Sequence, residues 1–286
     1  MTRGDDTRDP APEAPRGGGP TRRRETYSHG HHSSVLAAHS RRTAESSAAY
    51  LLPHLRPTDV LLDVGAGPGT ITVDLAARVA EVVGLDPAPA AVTAAQELVT
   101  SRGLTNVRIE VGDVYALDAP DATYDVVHAH QVLQHLADPV AALREMRRVC
   151  RPGGLVAVRD ADYATMTWFP ETPALRRWLE LYEALARRNG GEPDAGRRLK
   201  AWVLEAGFSR VAATGSVWCY ASLEDLAWWS QTWAERLTAS SFATSALAYG
   251  LADRAELERL AEGWLAFGED PRGWFLVPHG EVLATA

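Results

Sequence analysis

The sequence predicts an α/β protein with a mostly parallel sheet and helices on both faces. Three observations carry this. Short apolar runs alternate with helical stretches from residue 57 to 160, the pattern of strands buried on both faces. The runs end in Gly or Asp, as strands do when they enter tight turns. Pro-Gly and lone Gly residues then close the helices, as in "RRVCRPGG".

Taken in order, "SSVLAAHSRRTAESSAAYLLPHL" (33–55) is Ala- and Leu-rich and reads as a helix, with Pro53 near its far end. "DVLLDV" is a first strand running into "GAGPGT", followed by a short helix in "ITVDLAARVA". "EVVGLD" is a second strand, "PAAVTAAQELVTSRG" a helix closed by Gly103, and "VRIEVGD" a third strand. "YDVVHAH" is a fourth strand, "DPVAALREMRRVC" a helix, and "LVAVRDADY" a fifth strand. The regular alternation then breaks. Helices are expected at 172–190, 195–206 and through much of 222–268, with strands at "FSRVAATGSVWCY" and "GWFLVPHGEVLA".

Composition narrows the function. The 286 residues are 46% hydrophobic and 23% charged, with net charge −8. That balance opposes a nucleic-acid or anionic-membrane partner. No apolar run suits a membrane span or a signal segment, and Cys150 and Cys219 form neither a disulfide framework nor a zinc site, so a cytoplasmic setting is expected. Residues 1–26, rich in Pro, Gly and Arg, read as a disordered tail. All nine Trp and all five Phe follow residue 160, which suggests a cofactor half followed by a substrate half.

"DVGAGPGT" spans Asp63–Thr70. A dinucleotide site wants G-x-G-x-x-G/A, but here Thr70 takes the last place and the glycine comes one residue early, at Gly69. Asp63 is awkward beside a pyrophosphate and suits a ligand with an ammonium group. Asp86 closes the second strand, where its carboxylate can accept from ribose hydroxyls. Asp113 follows the third strand, where it can accept from an adenine amino group while the Val114 N–H donates to the ring. Acids at three strand ends, with no Lys or Arg for phosphate, describe S-adenosyl-L-methionine (SAM).

Together, "LLDVGAGPGT", "VVGLDPAP", "GDVYALDAPDATYDVVHAHQVLQHLADP" and "LREMRRVCRPGGLVAV" resemble the successive motifs of class I SAM-dependent methyltransferases. The likeness covers about residues 55–160 and is greatest to the branch with the ubiquinone and menaquinone C-methyltransferases. It implies a Rossmann-like, seven-stranded, mostly parallel sheet; the helical stretches after strands five and six read as a cap over the strand ends. The resemblance also places Asp63, Gly65, Gly67, Asp86, Asp113, Val114 and His130 around the cofactor, to which Pro87, Gln131 and Arg42 are added. The implied organisation is a tail (1–26), an N-terminal lid and helix (27–56), a SAM-binding core (57–160), and the end of the sheet plus a helical substrate cap (161–286).

His128 and His130 alternate along a strand and share a face. His135 follows and is a candidate catalytic or positioning group. In "YSHGHH", Tyr27 and His29 are candidates for closing the cleft and accepting a proton, in line with the family's N-terminal lid. The methyltransferase reading explains these histidines without a metal, and none is expected. In the Trp-rich cap, Trp202 and Trp233 are candidate substrate walls, with Asp162 and Tyr163 at the rim. Arg197 and Arg198 are more ordinary helix-surface residues than carboxylate ligands.

The expected activity is methyl transfer to a small aromatic or hydrophobic metabolite. Carbon is the favoured acceptor, in the sharpest form an indole carbon of a tryptophan-containing cyclic dipeptide in natural-product biosynthesis. O- or N-methylation of another small metabolite, or a noncatalytic SAM-binding protein, are the alternatives. The substrate is expected to be a small molecule, with no nucleic-acid or membrane partner and a homodimer through the N-terminal segment.

Overall fold

A computed structural model describes residues 41–286. Tyr27, His29 and the 1–26 tail therefore lie outside the described residues. The sheet runs through β1 (Val60–Val64), β2 (Glu81–Asp86), β3 (Val107–Val111), β4 (Tyr124–His130) and β5 (Cys150–Ala161). It continues with β6 (Thr167–Phe169), β7 (Arg210–Tyr220) and β8 (Trp274–Thr285). The strand order is β3-β2-β1-β4-β5-β8, with β7 on the far side of β8 and β6 pairing with the start of β8. Strands β1 to β5 pair in parallel, whereas β8 runs antiparallel to β5, β6 and β7. The sheet thus has eight strands, not seven, the addition being the three-residue β6.

The helices are α1 (Ala44–Ser47), α2 (Thr70–Ala76), α3 (Pro89–Ser101), α4 (Pro139–Val149), α5 (Pro173–Arg188), α6 (Ala195–Glu205), α7 (Leu223–Ala239), α8 (Ser241–Ala248) and α9 (Arg254–Glu269). In the described part of 33–55 the single expected helix is instead α1 and a separate 3₁₀ turn at Leu52–His54. Thr43 starts α1 afresh, its hydroxyl accepting from the Ser46 N–H while the Ser46 hydroxyl takes the Thr43 N–H. Ala48 then leaves helical geometry. Thr43→Ala is expected to lower stability by about 1 kcal/mol, read as a shift in urea midpoint at constant slope.

One sheet face packs on α4 and α6 through Leu62, Val127, Val156, Leu143 and Leu199; the other carries Leu61, Val126 and Ala157 against Ala44, Leu51 and Leu75. A third core joins α5, α7, α8 and α9 to the start of β8 through Trp178, Trp233, Trp264, Phe242 and Phe275. Trp178 meets Trp233 and Trp264 edge to face, at 4.5 and 4.8 Å between ring centroids, the favourable arrangement for such rings. Gly280 on β8 faces Gly196 on α6 so closely that a Cβ on Gly280 would come 2.0 Å from the Gly196 carbonyl oxygen. Only a residue without a side chain lets the helix backbone rest on the strand there.

Candidate active site

The loop after β1 is shaped by hydrogen bonds to β2. The N–H groups of Gly65 and Ala66 donate to the Leu85 carbonyl at 2.7 and 3.0 Å. Gly67 N–H donates to Asp86 Oδ2 at 2.9 Å, and Ala88 N–H donates to Oδ1 at the same distance. Asp86 thus ties the loop to the start of α3. Gly65 has φ +73°, and a Cβ there would come 2.3 Å from Val132 Cγ2. Glycine therefore lets the loop after β4 close against the loop after β1.

Asp63 is held from two sides: Thr72 Oγ1 donates to Oδ2 at 2.6 Å, and His128 Nδ1 donates to Oδ1 at 2.7 Å. His128 is fully buried, so it orients this carboxylate from behind. His130, two residues on, faces the same side but reaches the cleft wall. Burial first, and the Arg159 charge second, push its ring well below the usual histidine range, so it is neutral.

These groups form one end of a cleft of about 780 Å³, with Asp63, Gly65, Gly67, Asp86 and Pro87 on its wall. Arg42, Gln131 and His135 stand beside them. Arg42 Nη2 donates to Gln131 Oε1 at 2.7 Å, and Gln131 Nε2 lies 2.9 Å from His279 Nε2. The amide oxygen is committed to Arg42, so the amide N–H donates to His279. Gln131 has φ +54°, a conformation uncommon for such a residue; that turn sets its side chain between the two partners.

The other end is aromatic: Trp218, Tyr220, Trp228 and Trp229, with Tyr163, Met166 and Val277. Trp218 Nε1 donates to the Ser46 carbonyl at 2.8 Å, joining β7 to α1. Charged groups on this wall carry no local motif and were not found in the sequence, among them Glu281, Arg236, Asp225 and Arg41, which lies over the Trp228 ring.

Several expected positions lie elsewhere. Trp233 is fully buried among the cap rings, and Trp202 packs against the sheet core, so neither is on the cleft wall. Their faces of α7 and α6 are the ones those helices must bury. Asp162 is not an open rim group; Arg197 holds it by a bidentate pair of 2.6 and 2.5 Å, and Arg198 pairs with Glu192. Asp113 accepts the Tyr115 N–H at 2.9 Å and Val114 is buried; neither is among the residues on the wall of this cleft. His135 lies on the cleft, 3.0 Å from Gln134 Nε2. Burial lowers its ring to about 3, which suits a positioning role and opposes a general base at neutral pH. Among the described residues no cluster of His, Cys, Asp or Glu could hold a metal ion, and no helix is long and apolar enough to cross a membrane.

A glycine turn that brings backbone close to the cleft, one carboxylate toward an ammonium and a second toward ribose hydroxyls fit SAM. The wall includes no lysine, but the expected absence of arginine does not hold: Arg42 stands beside this end, its Nη2 donating to Gln131. Fold and site together define a class I SAM-dependent methyltransferase. Comparison with known proteins agrees, and residues 55–226 match the family described as methyltransferase domain. The chain belongs to that family, and SAM is its cofactor. It is 34% identical over 267 residues to an uncharacterized methyltransferase of Schizosaccharomyces pombe, covering 90% of this chain and 95% of that one. A demethylmenaquinone methyltransferase from a Mycobacterium species is 31% identical over 166 residues, 54% of this chain and 65% of its own. The crystal structure of the Bacillus subtilis YcgJ protein superposes with a TM-score of 0.53 at 18% identity, covering 89% of this chain and 98% of that one. At that identity the match shows the fold alone.

Proposed function

We propose that this methyltransferase acts on a small aromatic or hydrophobic metabolite, with carbon as the favoured acceptor. The observation that carries this is the aromatic far end of the cleft, where Trp218, Tyr220, Trp228 and Trp229 face a volume continuous with the cofactor end. Such walls stack on a planar acceptor and favour a nearby cation by roughly 0.5–2 kcal/mol. Bound SAM supplies an electrophilic methyl group; the chain's own task is to align the acceptor and exclude water. An indole carbon in a tryptophan-containing cyclic dipeptide is the sharpest form of the reading. O- or N-methylation of another small metabolite is the second reading.

A free cytoplasmic metabolite also fits the net charge of −8, which offers no attraction to nucleic acid. A homodimer through the N-terminal segment completes the proposal. Isotope-labelled SAM with indole, cyclic dipeptide, quinol and phenol acceptors tests it, with the product atom assigned by NMR. Label on an aromatic carbon is expected. Label found only on protein or RNA would overturn the small-molecule reading.

A further inference from the structure

Glu281 stands out among the groups the cofactor does not explain. It is 6% exposed, lies on the substrate end of the cleft wall, and belongs to a buried ion pair. Arg159 Nε donates to its Oε1 at 3.2 Å, and Ser216 Oγ donates to the same oxygen at 2.5 Å. Thr214 Oγ1 donates to Oε2 at 2.9 Å. A carboxylate offers about four lone-pair sites, so one on Oε2 is left. Arg159 is itself 1% exposed and lies over the Trp218 ring at 5.0 Å. Buried pairs of this kind are often no more stabilising than apolar residues of the same volume. Stability therefore gives little reason for one on a cleft wall.

Position supplies the reason. Glu281 is the register partner of Arg159 on β5, which is the partner of His130 on β4. Three strand spacings, about 14 Å, separate its strand from β1 and the Asp63 end, which puts it past the cofactor and beside the acceptor. The geometry points to Glu281 as the fixed negative charge that faces the methyl acceptor and takes its proton, with Ser216 beside it as relay. This rests on the small-molecule reading above.

The chemistry also limits the acceptor. A carboxylate already held by a guanidinium and two hydroxyl donors is a weak base. A carboxylate therefore does not ionise a phenol or alcohol before attack. It suffices for an aromatic carbon that attacks while neutral and becomes cationic on methylation. The carbon–methyl bond forms as the sulfur–methyl bond breaks. The C–H electron pair then returns to the ring, and the proton passes to Glu281 and on to solvent through the cleft. The same charge stabilises the cationic ring electrostatically.

The test is a binding comparison that needs no known substrate. Protein loaded with S-adenosylhomocysteine is titrated by calorimetry with 1-methylquinolinium and with its neutral isostere 1-methylnaphthalene. Wild type is expected to prefer the cation at least tenfold. The cap rings also favour a cation, so the quantity that matters is the preference lost on Glu281→Gln, expected to be at least fivefold with S-adenosylhomocysteine affinity unchanged. If Glu281→Gln strands Arg159 and unfolds, the loss is read between Arg159→Met and the paired Arg159→Met/Glu281→Gln variant, which differ by the Glu281 charge alone. No cation preference in wild type, or a preference unchanged within twofold in both comparisons, overturns the assignment. Absent S-adenosylhomocysteine binding would instead overturn the methyltransferase reading beneath it.

Discussion

Asp63→Asn is expected to weaken SAM binding by roughly 10–100-fold, the effect of one hydrogen bond to a charged group worth about 1.5–3 kcal/mol. The side chain keeps its shape but loses its charge, while Thr72 and His128 still hold it from behind. Calorimetry reads the change directly. A second arm uses a SAM analogue without its α-amino group, which should bind wild type and variant equally weakly. If the analogue still loses affinity in Asp63→Asn, the carboxylate meets some other part of the cofactor. An unchanged affinity for SAM itself would remove Asp63 from the site.

Stability is expected to fall by about 2 kcal/mol between pH 6 and pH 8 through Asp160 alone. This side chain is fully buried at the end of β5, and burial pushes it up to about 8. Its Oδ1 accepts the Gln134 N–H at 3.1 Å, whereas Oδ2 has no partner among the described residues. The folded value lies above the ordinary aspartate value of 3.8. Between the two, the folded state holds a proton that the unfolded chain has released. The stabilisation is thus complete below about 3.8 and is lost as pH rises through about 8. Asp160→Asn should flatten this slope when melting curves of the two proteins are compared across the window. Parallel slopes would show that Asp160 does not carry a proton in the fold. The loop fixed by Gln134 also carries Gln131, Val132 and His135 on the cleft wall, so cofactor affinity should weaken along the same pH course.

Much of this was legible in the sequence because it is local. A strand buried on both faces is an unbroken apolar run, and a turn that must approach a ligand is glycine. Asp63, Asp86 and the loop between β1 and α2 follow from such short patterns. The cap was less legible. A tryptophan on a helix has the same letter whether it points to a cavity or to a core, and Trp233 and Trp202 point to cores because α7 and α6 bury those faces. Asp162 looked like a rim group because its partner, Arg197, stands 35 residues away. Glu281 left one faint sign, a charge within the mostly apolar "WFLVPHGEVLA". Its meaning depends on Arg159, 122 residues earlier, and on Ser216.

The place of β8 in the strand order also bears on how the molecule assembles. Last of the strands in sequence, it is inserted between β5 and β7 and pairs with both over much of its length. Every contact it makes with β5 closes a loop of more than a hundred residues, a slow step in chain search. Until residues 274–285 dock, β5 offers an unpaired edge to any neighbouring chain. Refolding should therefore be limited by this single insertion, and crowding before it is complete should favour aggregates over native protein.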